Sequence, residues 1–79
     1  MTLADLKPGQ FATVEAVELG RYGKGLTTRL EAMGLVPGRP VRVLRSAWFG
    51  GPLEVRVGST TEIAIRRREA SLVVITAAT

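Results

Sequence analysis

Along the second half of the chain, apolar and polar residues alternate with a period of two. Val41 and Val43 flank Arg42; Leu53, Val55 and Val57 enclose Glu54 and Arg56; Ile63 and Ile65 follow Glu62. Alternation of this kind puts every second side chain on one side of an extended backbone, so it predicts strands with one face on a core and the other in water. Residues 72–75 are apolar without interruption and predict a more deeply buried strand. An earlier strand is expected over residues 10–19, where the alternation slips around Glu15 and Ala16. One extra residue in a β-bulge would account for the slip.

Between these segments the period changes. Leu26, Leu30 and Met33 stand at i, i+4 and i+7 and are followed by Gly34 and Leu35. That pattern predicts a short helix stopped by a glycine at positive φ, with the next apolar residue folding back onto the last turn. Lys7-Pro8-Gly9-Gln10 and Val36-Pro37-Gly38-Arg39 each place Pro then Gly as a type II turn requires, just ahead of a strand. The two stretches echo each other as Leu-x-Pro-Gly-x4-Val, from Leu6 to Val14 and from Leu35 to Val43, which reads as shared turn chemistry in a chain too short to stack repeats. The last connections fall at residues 47–52, 58–61 and 66–71, the third as a single helical turn. The expected fold is all-β, a small SH3-like barrel of about five strands with one short helix inserted in the first long loop, because closing the sheet removes exposed edges. Residues 1–79 form one domain, with 76–79 expected as a frayed tail.

Length and composition narrow the function. Leu, Ile, Val and Phe make up 23 of the 79 residues, above the roughly 20% below which chains tend to stay disordered. At this size only about 60–65% of the unfolded surface is buried, which leaves little spare stability and gives partner contacts a place in its function. There is no Cys and no His. Disulfides, thiolate zinc sites, the usual general base and the usual transition-metal ligand are therefore all missing, and no dedicated metal site or cofactor is expected. Ser46, Ser59 and Ser71 have no His to activate them, and the six Glu residues form no evident acid and base pair, so an enzyme is not expected. No apolar run approaches the ~18–20 residues of a membrane helix, and the first five residues do not resemble a signal peptide, which points to a soluble cytoplasmic protein.

The net charge is +4, with nine of the eleven basic residues being Arg. Such a balance permits nucleic acid or anionic lipid as a partner. The one tight basic run, Arg66-Arg67-Arg68, is followed at once by Glu69 and reads as a solvated turn. Gly20-Arg21-Tyr22-Gly23-Lys24-Gly25 imitates a phosphate loop, but a Walker A motif needs Gly where Glu18 stands and Ser or Thr where Gly25 stands. The same glycines imitate the GXXG loop of KH domains, which joins two helices, whereas a strand is expected before this one. It reads as a glycine loop entering the helix. Trp48 and Phe49 lie in a loop ending Gly50-Gly51-Pro52; either they seal the barrel end or at least one is an exposed anchor. The nucleic-acid reading would use Arg21, Lys24, Arg66, Arg67 and Arg68.

Taken together, Leu3-x-x-Leu6-x-x-Gly9, Arg29-Leu30-x-x-Met33-Gly34-Leu35-x-Pro37-Gly38, Val41, Gly50-Gly51-Pro52, Ile63-Ala64-Ile65-Arg66, Ala70 and Val73-x-Ile75 form a pattern. It resembles the ferrous-iron-transport A (FeoA) family over almost the whole chain, with Trp48 standing where the family often has Pro. The resemblance implies an SH3-like accessory protein of bacterial ferrous iron uptake that binds a FeoB-type permease, or its G domain, from the cytosolic side. The module also resembles the C-terminal domains of DtxR-type repressors. On that reading Arg21, Tyr22, Lys24, Arg29, Trp48 and Phe49 are the expected partner contacts, with Gly9, Gly34, Pro37, Gly38, Gly51 and Pro52 shaping turns and caps. Contact with an anionic inner membrane surface and weak self-association are further expectations.

Overall fold

The computed structural model describes residues 1–18, 23–47 and 50–77, the side chains of Gly23 and Lys24 excepted. A short 3-10 turn, Leu3–Asp5, opens the chain. It is followed by β1 (Phe11–Val17), α1 (Gly23–Ala32), β2 (Pro40–Ser46), β3 (Leu53–Val57), β4 (Thr61–Ile65), α2 (Arg67–Ala70) and β5 (Val73–Ala77). The strands make one antiparallel sheet in the order β4-β3-β2-β1-β5. The expected five-strand, one-helix architecture is present, and the single turn expected after β4 is α2.

The inward side chains are those the alternation selected. Ala12 and Val14, Val41 and Val43, Leu53, Val55 and Val57, and Val73 and Ile75 are all buried. Ile65 supplies the inner face of β4, and Leu3 and Leu6 close the core from the N-terminal segment. Burying each such side chain contributes about 1.5–3 kcal/mol, enough to make the alternation decisive in so small a domain. The slip in β1 is a bulge: Val14 faces Ile75 but Ala16 faces Val74, leaving Glu15 as the extra residue. A second irregularity, which the alternation did not signal, lies between Val43 and Arg45 in β2.

Helix α1 packs Leu30 fully into the core, with Leu26 and Met33 half-buried against it. It starts at Gly23, so Gly23-Lys24-Gly25 belongs to its first turn rather than to a loop before it. Glycine costs least there, where the N–H groups have no intrahelical partner in any case. The helix stops as expected. Gly34 has φ +96°, its N–H donates to Glu31 O at 2.9 Å, and the Leu35 N–H reaches back to Leu30 O at 3.1 Å. These are the two bonds of a Schellman motif, sealed by two fully buried leucines.

Both Pro-Gly turns are formed, with Gly9 at φ +90° and Gly38 at φ +89°, and Gln10 N and Arg39 N bonded to Lys7 O and Val36 O. The echo between them is a reciprocal lock. Gly9 N donates to Val43 O and Gly38 N donates to Val14 O, both at 2.8 Å. Val43 N donates to Gln10 O and Val14 N to Arg39 O. Each motif thus closes on the valine of the other, and the pair sets the register of β1 against β2.

The outer edge of β5 is covered by the N-terminal segment through a Thr2–Val74 bridge and an Ile75 N–H bond to Met1 O. The other edge of the sheet is β4. Thr76 and Ala77 are paired with Thr13 and Ala12, so the strand runs two residues into the stretch expected to fray. Ala78 and Thr79 lie outside the described residues.

Candidate partner-binding surface

Helix α2 and the loop before β3 form one end of the barrel. The Glu69 side chain folds back across the first turn of α2, where Oε1 accepts the Arg66 N–H at 3.2 Å and caps the helix. The same carboxylate meets Arg29 of α1, with Nη1 to Oε2 at 3.0 Å and Nη2 to Oε1 at 3.4 Å. Glu69 is only 6% exposed at its side chain, whereas Arg29 is 56% exposed. One carboxylate therefore ends one helix and pins the other. Arg29, expected as a contact, does face solvent, and it is held there by a bond the sequence reading did not anticipate. The available signal was Glu69 itself, three residues after the start of a predicted helical turn, where a capping carboxylate belongs.

Beside this clamp runs a groove of about 400 Å³ lined by Gly50, Gly51, Pro52, Arg66, Arg67 and Arg68. Two pieces of sequence, the glycine-proline loop and the basic run, thus form the two sides of one depression. Gly50 has φ +74°, and its Cα hydrogen points toward the Arg67 stem, 3.9 Å from where a Cβ would stand. The Ser71 hydroxyl donates to Arg68 O at 2.6 Å, which occupies it in closing α2. Of the other expected contacts, Arg21, Tyr22, Trp48 and Phe49 lie outside the described residues, as does the Lys24 side chain.

Three further carboxylates are engaged by neighbouring groups. Asp5 accepts the Thr2 N–H at 2.8 Å, Glu54 holds Arg45 through two bonds of 2.9 and 2.8 Å, and Glu62 meets Arg56 at 3.1 Å. The hydrogen bonds from Arg45 hold the Glu54 carboxyl below its ordinary pKa. Among the described residues no three acidic side chains gather where an ion would be shared. With Asp5, Glu54, Glu62 and Glu69 each bound to a cation or a backbone N–H and no Cys or His in the sequence, the donor set does not fit a resident transition metal. Among the described residues no helix is long and apolar enough to cross a membrane.

Comparison with known proteins agrees with this architecture. The FeoA domain matches residues 1–77. FeoA of Stenotrophomonas maltophilia, solved with zinc and described as an SH3 domain protein, is 36% identical over 96% of this chain and 89% of its own, with a TM-score of 0.83. FeoA of Chlorobium tepidum is 33% identical over 100% of this chain and 71% of its own, with a TM-score of 0.86. A manganese-dependent transcriptional repressor shares the fold at 17% identity, covering 99% of this chain but 36% of its own, with a TM-score of 0.86. No curated protein matches closely enough to add a relative. With the family pattern running through nearly every core strand, turn and cap described above, the chain belongs to the FeoA family.

Proposed function

We propose that this protein is a non-enzymatic accessory of bacterial ferrous iron uptake that acts in the cytoplasm by binding a FeoB-type permease, or its G domain, and regulating or assembling it. The observation that carries the reading is the family match over residues 1–77. It is supported by the S. maltophilia relative, which is described as a candidate activating factor for ferrous iron transport. An accessory without catalytic groups works through different affinities for the states of its partner, so its contact residues are its mechanism. We assign that contact to Arg29 and the groove walls at the α2 end of the barrel, together with Arg21, Tyr22, Lys24, Trp48 and Phe49, which the sequence nominates. Basic residues there also favour an anionic inner leaflet by on the order of 1 kcal/mol each, which assists docking beside a membrane partner without anchoring the protein.

The competing reading is a nucleic-acid-binding barrel using Arg66, Arg67 and Arg68 along the groove. Titrating the pure protein with a permease G domain and with single-stranded RNA, each at two salt concentrations, separates the two. Phosphate binding falls steeply with salt. Saturable G-domain binding that survives the higher salt supports the transport reading, whereas RNA binding without G-domain binding overturns it.

A further inference from the structure

The outer face of the sheet carries a row of four side chains in direct register. Phe11 of β1 faces Arg42 of β2, Arg42 faces Arg56 of β3, and Arg56 faces Glu62 of β4. Two guanidinium groups therefore stand directly opposite each other, an arrangement that costs stability unless something compensates. The compensation is unequal. Arg56 is bonded to Glu62 at 3.1 Å, while Arg42 lies over the Phe11 ring, 4.7 Å from its centroid, and has no carboxylate among the described residues. The Nε atoms of both arginines are buried without an acceptor, so both stems lie against the sheet and only the Nη ends face outward. Phe11 is 53% exposed and, with Met1, is one of the two exposed large hydrophobics among the described residues.

A depression of about 210 Å³ opens over this row, walled by Phe11, Pro40, Arg42, Arg56, Gly58 and Ser59. Phe11 and Pro40 give it an apolar lining, Arg42 and Arg56 a cationic one beside it, and the two guanidinium groups share a single carboxylate among the described residues, that of Glu62. We propose that this face binds an acidic segment of a partner protein, with a carboxylate taken by Arg42 and Arg56 and the adjoining apolar side chain laid against Phe11 and Pro40. The apolar wall favours a peptide over inorganic phosphate, and Glu62 at the row's end disfavours the unbroken charge of a nucleic-acid backbone. A flat membrane would also have to accommodate Glu62 and Glu54 on the same face. The inference does not depend on the partner being an iron permease.

The test is NMR on the whole protein, titrated with a short capped peptide in which a phenylalanine is flanked by glutamates. The glutamine counterpart, inorganic phosphate, short single-stranded DNA and phosphatidylglycerol vesicles are titrated alongside. Expected are chemical-shift changes at Phe11, Arg42 and Arg56 with the glutamate peptide and none there with the glutamine peptide. Arg42→Gln should weaken binding roughly tenfold, as loss of a charged hydrogen-bond donor does. Arg66→Gln, the same charge change on the other groove, should leave it unchanged. Phe11→Ala provides a second route should Arg42→Gln disturb the sheet. The proposal is overturned if the glutamate peptide leaves these residues unmoved, if the glutamine peptide moves them equally, if Arg66→Gln weakens binding as much as Arg42→Gln, or if phosphate, DNA or vesicles bind this row more tightly than the peptide.

Discussion

Replacing Gly34 tests the closure of α1 on the sheet more directly than any other single change. At φ +96° an L-residue is strained, at a cost of about 1–2 kcal/mol from the backbone alone. A Cβ placed there would also stand 3.1 Å from the Val57 Cγ1 methyl. Val57 is 3% exposed and set in the core, so the methyl has little room to recede. Overpacking of this kind adds about 1–3 kcal/mol. Gly34→Ala should therefore cost roughly 2–5 kcal/mol, and Gly34→Val more, out of a total of about 4–12 kcal/mol for a chain this long. Gly38 supplies the control, because φ is +89° but nothing lies within 4 Å of a Cβ. Gly38→Ala should show only the backbone cost. In urea unfolding, with a slope of about 1 kcal/mol per molar, the Gly34→Ala midpoint should fall by roughly 2 M or more, clearly further than that of Gly38→Ala. Trimming the methyl in a Gly34→Ala, Val57→Ala double variant should recover part of the loss relative to the sum of the single changes. If Gly34→Ala and Gly38→Ala shift equally, the contact with Val57 is not what excludes a side chain; if neither shifts, the helix does not end as described.

Further outcomes follow from the ion pairs and the proposed contacts. Glu69→Ala should cost about 1–2 kcal/mol and raise hydrogen exchange across α2 and Ser71, while Glu69→Gln, whose amide oxygen still accepts the Arg66 N–H, should cost less; equal effects would remove the capping role. Because hydrogen bonds from Arg45 lower the Glu54 pKa in the folded state, the pair's contribution is complete above the unfolded value and is lost as pH falls through the folded one. Carboxyl NMR should find Glu54 titrating below the ordinary glutamate value, and Arg45→Gln should bring it back up. Trp48→Ala and Tyr22→Ala should each keep the thermal midpoint yet weaken association with the permease by ~2 kcal/mol, as loss of an aromatic anchor does, and unchanged binding in both would move the contact elsewhere. Anaerobic calorimetry with ferrous iron should find no site tighter than roughly micromolar, since a sequence without Cys or His offers mainly oxygen ligands, which compete poorly for such ions; a stoichiometric nanomolar site would overturn this.

Most of the core could be read from the sequence because each inward residue is decided locally, by its own place in an alternation. Val41, Val43, Leu53, Val55 and Val57 are buried where the pattern put them, and even the bulge at Glu15 showed as a missed beat. Glu69 could not be read in the same way. Its burial depends on Arg29, forty residues earlier in the chain, and no local pattern reports a partner so far away. The start of α1 was missed for the opposite reason: the glycines at Gly23 and Gly25 argue locally for a loop, and packing of Leu26 and Leu30 outweighs them.

The outer-face row shows what kind of information alternation lacks. Period two states that Arg42, Glu54, Arg56 and Glu62 face water, but it does not state that Arg42 lies opposite Arg56, because register is a relation between strands. That relation was nevertheless written in the echoed Leu-x-Pro-Gly-x4-Val segments. With Gly9 bonded to Val43 and Gly38 to Val14, Phe11 has no position to take except across from Arg42. The short turn at Gly58 then carries the same row through Arg56 to Glu62. Both bulges fall beyond this stretch, after Val14 and after Val43, so the row sits where four strands run in unbroken register. Slipping any of them by one residue would turn buried apolar side chains of the core outward, which fixes the guanidinium positions at the cost of the core itself. Side chains held in that way lose less freedom on binding than free surface arginines do, and for an accessory protein that works by contact alone this preorganisation is a direct source of affinity.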